Sequence, residues 1–190
     1  MKYNPDKHHR RSIRLKGYDY TLPGAYFVTV CTHERACLFG AVADGEMQLN
    51  DAGRMAQGAW NELSVRFPDV RLDTFVVMPN HVHGVIIVGA QFIAPSDGFV
   101  TTTIDQGAIN RAPTLGEIVR TFKAVSTRAI RHTANSDFAW QRNYYEHVIR
   151  DDESLNRIRQ YIFDNPGRWA FDRENPTATT TPEPEEMWRA

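Results

Sequence analysis

Two residue pairs in this chain have the types and the spacing to do chemistry. The first lies in Phe75-Val76-Val77-Met78-Pro79-Asn80-His81-Val82-His83-Gly84-Val85-Ile86-Ile87-Val88. Two apolar, β-branched runs flank a Pro-Asn break, which reads as strand, tight turn, strand. Strand side chains alternate faces, so His81 and His83 point one way and Val82, Ile86 and Val88 the other. Paired imidazoles on a rigid strand make half of a metal site. The second pair is Tyr161 and Asn165 in Arg159-Gln160-Tyr161-Ile162-Phe163-Asp164-Asn165-Pro166. Four residues apart on an expected helix, they share a face. The imidazoles and the amide oxygen can hold a divalent cation, which acts as a Lewis acid on a phosphodiester. The phenolate can attack phosphorus and form a covalent intermediate.

The elements that must position these groups follow from local pattern. Residues 25–32 form a first strand rich in aromatic and β-branched side chains. Asp44-Gly45 marks a small hairpin within 38–49. Asn50 or Asp51 caps a helix running to about Arg66, with Met55, Ala59, Trp60 and Leu63 on its inner stripe. Strands follow over about 70–78 and 81–88. Residues 89–113 lose periodicity and read as an exposed insertion. Thr114 and Glu117 make a capping box for a helix with Leu115, Ile118, Phe122, Val125 and Ile130 near one face. A fourth strand is clearest from Tyr144 onward, and Asp151 or Asp152 caps a last helix to about Asp164. The order β-α-β-β-α-β is the ferredoxin-like arrangement. It predicts an α+β fold, an antiparallel sheet with helices on one face and the other face free.

The chain has 190 residues, 42% hydrophobic and 24% charged, which fits one globular domain with tails. The expected division is a basic arm over 1–17, a domain over 18–170 and an acidic polar tail over 171–190. No run approaches the ~18 apolar residues of a membrane span. The N-terminus lacks the apolar core of a secretory signal, so a cytoplasmic place is expected, at the nucleoid for a DNA binder. Cys31 and Cys37 match no zinc spacing and read as inert thiols of a reducing compartment. Net charge is −1, but residues 2–16 hold six Lys and Arg against Asp6, while the C-terminal tail is acidic. Arg10, Arg11, Arg14 and Lys16 are therefore candidate phosphate contacts, with Arg120 and Lys123 on the basic side of the 114–131 helix.

Met78-Pro79-Asn80-His81-Val82-His83 resembles the HUH motif of single-tyrosine, single-strand DNA transposases, and Tyr161-x-x-x-Asn165-Pro166 resembles their catalytic helix. Trp140-Gln141-Arg142-Asn143-Tyr144-Tyr145-Glu146-His147 and the Asn-Pro ending are similar to the branch of REP-associated tyrosine transposases. The likeness runs from about Arg11 to Trp169. It implies cutting of one DNA strand at a hairpin, a 5′-phosphotyrosine on Tyr161, a free 3′-OH and rejoining. It also implies magnesium or manganese on His81, His83 and Asn165, and a monomer or homodimer. The better-known insertion-sequence members carry Gln where this chain has Asn165, a shorter amide. Tyr144 and Tyr145 are rival nucleophiles by type. The resemblance ranks them lower, since the nucleophile belongs on the following helix. His147 reads as core or surface. A DNA-hairpin-binding protein with the same fold and no chemistry is the alternative. A metal-dependent hydrolase without DNA fits the basic arm poorly.

Overall fold

The structure is a computed structural model that describes residues 23–89 and 113–178. Strands β1 (Gly24–Cys31), β4 (Val70–Val77), β5 (His81–Val88) and β6 (Tyr145–Ile149) form one sheet in the order β4-β5-β1-β6, every neighbour antiparallel. Between β1 and β4 come a small hairpin, β2 (Gly40–Ala43) and β3 (Glu46–Leu49), then helices α1 (Asp51–Asn61) and α2 (Leu63–Arg66). Helix α3 (Leu115–Thr133) joins β5 to β6, and α4 (Asp152–Asp164) follows β6. The ferredoxin-like α+β arrangement is present as expected.

Local chemistry sets the ends of these elements. Asp44 and Gly45 turn the hairpin with φ of 52° and 78°, which the twist of the strands requires. Asn50 caps α1 by accepting from the Gly53 amide, the Thr114–Glu117 capping box is complete, and Asp151 accepts from the Ser154 amide. The single helix expected to Arg66 divides at Glu62.

On one face of the sheet, Tyr26, Val28, Val30, Val82 and Ile86 pack against Ala56, Trp60, Ile118 and Phe122 from α1 and α3. Trp60 stacks on Phe75 at 4.5 Å and meets the edge of Phe122 at 5.5 Å. Gly84 makes room for it, because a Cβ there would lie 2.3 Å from a Trp60 ring carbon. Gly84→Ala is therefore expected to cost about 1–3 kcal/mol, the scale of overpacking a filled core. A urea melt measures this, and a midpoint equal to wild type would show that the indole has room to shift.

The other face is not free. Alternate residues Ala25, Phe27, Val85, Ile87 and Ile149 are apolar too, and α4 covers them with Ile158 and Ile162, flanked by Leu155 and Tyr161. A strand apolar on both faces must be covered on both. The histidines thus lie under a helix rather than on an open surface.

A bidentate ion pair ties α4 to β4. Arg159 Nε and a terminal guanidinium nitrogen donate to the two Asp73 oxygens, each at 2.7 Å. Asp73 sits where the β4–β5 register shifts between Leu72 and Phe75. The Arg159 bonds are the largest cause that holds the Asp73 carboxyl down at about 2. A pKa lowered on folding gives stability that is present above the ordinary carboxylate value and lost as pH falls through about 2. The wild-type chain is expected to lose its stability margin over Asp73→Asn progressively as pH falls from the ordinary carboxylate value through about 2. Parallel urea midpoints across that range would contradict the coupling.

Candidate active site

Pairing register builds the site. His83 lies opposite Thr29 on β1, and Thr29 lies opposite Tyr145 on β6. On the far side of β5, His83 faces Val76. One row therefore crosses the sheet on its α4 side. Both imidazoles point to that side and are almost wholly buried, at 0% and 3% exposure. Their Nε2 atoms are 2.9 Å apart. The Nδ1 atoms face outward, that of His81 to the Asn80 oxygen and that of His83 to the Thr29 hydroxyl, each at 2.8 Å. From α4 the Tyr161 hydroxyl comes within 3.4 Å of His83 Nε2, and its ring lies edge-on to Phe27.

The third donor is one that the sequence pattern did not suggest. After α4 a 3-10 turn, Pro166–Phe171, leads back over the site. Asp172 lies beyond the domain boundary drawn from composition, yet it is buried, with one carboxylate oxygen 3.8 Å from His81 Nε2. His81, His83 and Asp172 are the group among the described residues whose donor atoms all lie within 4.8 Å of one another. Glu174 anchors this segment. Its carboxylate pairs with Arg35 at 2.8 Å, and its carbonyl accepts from Asn80 at 2.6 Å. Asn165, also buried, hydrogen-bonds the Asp172 side chain.

Burial sets the charge states. It is the first cause that holds His81 well below the ordinary imidazole value, with the neighbouring His83 adding to it. Burial alone takes His83 down to about 3. Both rings are therefore neutral at physiological pH, as ligands must be. The His81–Asp172 contact is accordingly no ion pair. Burial also pushes the Asp172 carboxyl up to about 6.

These donors fit a divalent cation. One Asp172 oxygen and the Asn165 oxygen are buried without a hydrogen-bond partner. Buried unpaired acceptors are costly unless something satisfies them. Around an octahedral ion with bonds of ~2.1 Å, neighbouring ligand atoms stand about 3.0 Å apart, close to the spacing of the two Nε2 atoms. The donors are nitrogen and oxygen, with no thiolate. Cys31 is near, but burial raises its thiol far above the ordinary value, followed by the charge of Glu174.

The remaining candidates fall elsewhere. Tyr145 shares the row of His83 but lies two strands across, roughly 10 Å at the usual strand spacing. Tyr144 packs with the α1–α3 core on the other face, under the Lys123 ammonium. His147 sits opposite Phe27 on β6. Lys123 donates to the carbonyls of Gln141 and Asn143 at 2.8 and 2.9 Å, so it organises that loop. Burial lowers its amine to about 8. Arg120 is exposed on α3. Neither α3 residue is brought to the histidines, because α3 packs on the opposite side of the sheet. Arg10, Arg11, Arg14, Lys16 and nearly all of the 89–113 insertion lie outside the described residues.

The fold has a solved counterpart. A solved REP-associated tyrosine transposase bound to a REP hairpin superposes with a TM-score of 0.52 over 82% of this chain and 74% of that one, at 20% identity. The chain has the fold of that HUH transposase class. No protein-family model matches it. An uncharacterised protein of Haemophilus influenzae (strain ATCC 51907 / DSM 11121 / KW20 / Rd) is 43% identical over 175 residues, covering 90% of this chain and 96% of that protein. The chain belongs to one family with the Haemophilus protein. Among the described residues no helix is long and apolar enough to cross a membrane.

Proposed function

We propose that the chain is a cation-dependent single-strand DNA nuclease and strand transferase that acts on hairpin DNA through a 5′-phosphotyrosine. The observation that carries this reading is the convergence of the Tyr161 hydroxyl on the His81, His83 and Asp172 donor cluster. His81, His83 and Asp172 would hold magnesium or manganese, with the Asn165 oxygen beside them as a further donor. A bound cation would supply Lewis acidity to a phosphodiester oxygen and offset charge that builds there.

The chain's own groups carry the rest. The Tyr161 oxygen attacks phosphorus, and its proton passes to water, since a free phenol of pKa ~10 is little ionised at neutral pH. The bond from phosphorus to the 3′ oxygen breaks, and that oxygen takes up a proton as a 3′-OH. Rejoining is the reverse: the 3′-OH attacks, the phosphotyrosine bond breaks, and Tyr161 regains its proton. Arg159, two residues before Tyr161, holds α4 to Asp73 and so fixes where the phenol stands. Arg10, Arg11, Arg14 and Lys16, with Arg120, supply phosphate contacts to the hairpin. Deleting residues 1–16 is expected to weaken binding and flatten the dependence of affinity on salt. An unchanged slope would remove the arm from the account.

The test of the activity is direct. Single-stranded hairpin oligonucleotide, protein and Mn2+ are mixed and run on a denaturing gel. A band of covalent protein–DNA is expected. A native-gel shift without that band would favour the binding protein without chemistry.

A further inference from the structure

Asn80 stands between His81 and the segment that carries Asp172, and touches both. Its carboxamide nitrogen donates to the Glu174 carbonyl at 2.6 Å and to the Arg35 carbonyl at 3.0 Å. Two carbonyl acceptors decide which end of the amide is nitrogen, because an amide oxygen has nothing to donate. The oxygen is then the atom 2.8 Å from His81 Nδ1, and it can only accept. His81 must carry its proton on Nδ1 and keep a lone pair on Nε2.

We propose that Asn80 is the positioning residue of the cation site. It fixes the ligating tautomer of His81. It also ties the strand that bears both histidines to the segment that bears Asp172. The proposal rests on reading the cluster as a cation site, and it explains why a fully buried amide sits at the turn before β5. A partner on the far nitrogen is the usual means of orienting a ligating histidine. Here the same side chain also holds, through the Glu174 carbonyl, the segment that carries the third ligand.

His83 is not locked in this way. Its Nδ1 faces the Thr29 hydroxyl, which donates or accepts equally well. Without an ion, the 2.9 Å contact between the Nε2 atoms needs one proton, and His81 has none there. His83 Nε2 therefore donates it, and Thr29 donates to His83 Nδ1. One histidine is preset for a cation and the other adapts.

Nitrogen-15 spectra of the imidazoles in the metal-free full chain test the tautomers without any variant. His81 is expected as Nδ1–H and His83 as Nε2–H. Two variants then separate the roles. Asn80→Asp keeps an acceptor facing His81 but has no N–H for Glu174. It should retain the His81 tautomer while amide exchange over 172–176 quickens. Asn80→Ala should lose the tautomer preference, quicken that exchange, and weaken Mn2+ binding by about 10–100-fold in calorimetric titration. A wild-type His81 protonated on Nε2 would overturn the proposal. So would an Asn80→Ala chain with wild-type exchange and Mn2+ affinity. Failure of the wild-type chain to bind Mn2+ would count against the cation reading itself. That failure is distinguishable, since the metal-free spectrum judges Asn80 with no ion present.

Discussion

Tyr161→Phe is expected to give a folded protein that binds hairpin DNA and forms no covalent adduct. The substitution keeps the ring and its edge contact with Phe27. It removes one oxygen, whose contact with His83 Nε2 is long, at 3.4 Å. Stability should therefore change by less than about 1 kcal/mol, the net scale of one hydrogen bond. Adduct formation should fall by at least about 10³-fold, as when a covalent nucleophile is lost. Tyr144→Phe and Tyr145→Phe should each leave the adduct intact, for different reasons. Tyr144 is on the wrong side of the sheet, and Tyr145 is held two strands from His83. Persistence of the adduct in Tyr161→Phe together with its loss in Tyr145→Phe would move the chemistry to β6.

Asp172→Asn should act in opposite directions on stability and on cation binding. The fold pushes this carboxyl up to about 6, chiefly by burial. A carboxyl raised on folding costs stability as pH rises from its ordinary value through about 6, because the folded chain then holds a proton that the unfolded chain has lost. Asparagine carries no such cost and keeps an oxygen for the Glu174 amide. The metal-free variant should thus gain on the order of 2–3 kcal/mol above pH 7, with the gain vanishing below pH 4. Mn2+ affinity should fall by at least about tenfold, since an anionic donor is gone. A residue that destabilises its own fold while holding a ligand has the mark of a functional position. Urea melts at pH 7.5 and 4, beside calorimetric titration with Mn2+, measure both effects. A variant that loses stability at pH 7.5 and binds Mn2+ as wild type does would return Asp172 to a structural role.

Much of the layer arrangement is legible in the sequence because its signals are local. The strand period gives His81 and His83 one direction, and Asn50, Thr114 and Asp151 mark three helix starts. The covered second face was legible too, in a signal easily passed over. Ala25 and Phe27 on β1, and Val85 and Ile87 on β5, are apolar at the positions that alternate with the α1–α3 core. Strands with apolar residues on both faces need two layers, and α4 is the second. Asp172 had no comparable signal. It follows Pro166-Gly167 in a stretch without period, and its place is set by Glu174 reaching Arg35 and Asn80, more than ninety residues away in the case of Asn80. A ligand delivered by a turn has no spacing rule. The basic side of α3 is legible only in part: helical period puts Arg120 and Lys123 on one side, but does not say which face of the sheet α3 takes.

The most direct test of the central claim asks which DNA end stays on the protein. A hairpin oligonucleotide is labelled either 5′ or 3′ of the break, incubated with wild-type protein and Mn2+, denatured and digested with trypsin. Label is expected on protein only from the strand 3′ of the break, joined through its 5′ phosphate to the peptide that contains Tyr161. Label from the 5′ side, a link to a peptide that contains Tyr145, or free cleaved DNA with no linked peptide would contradict it.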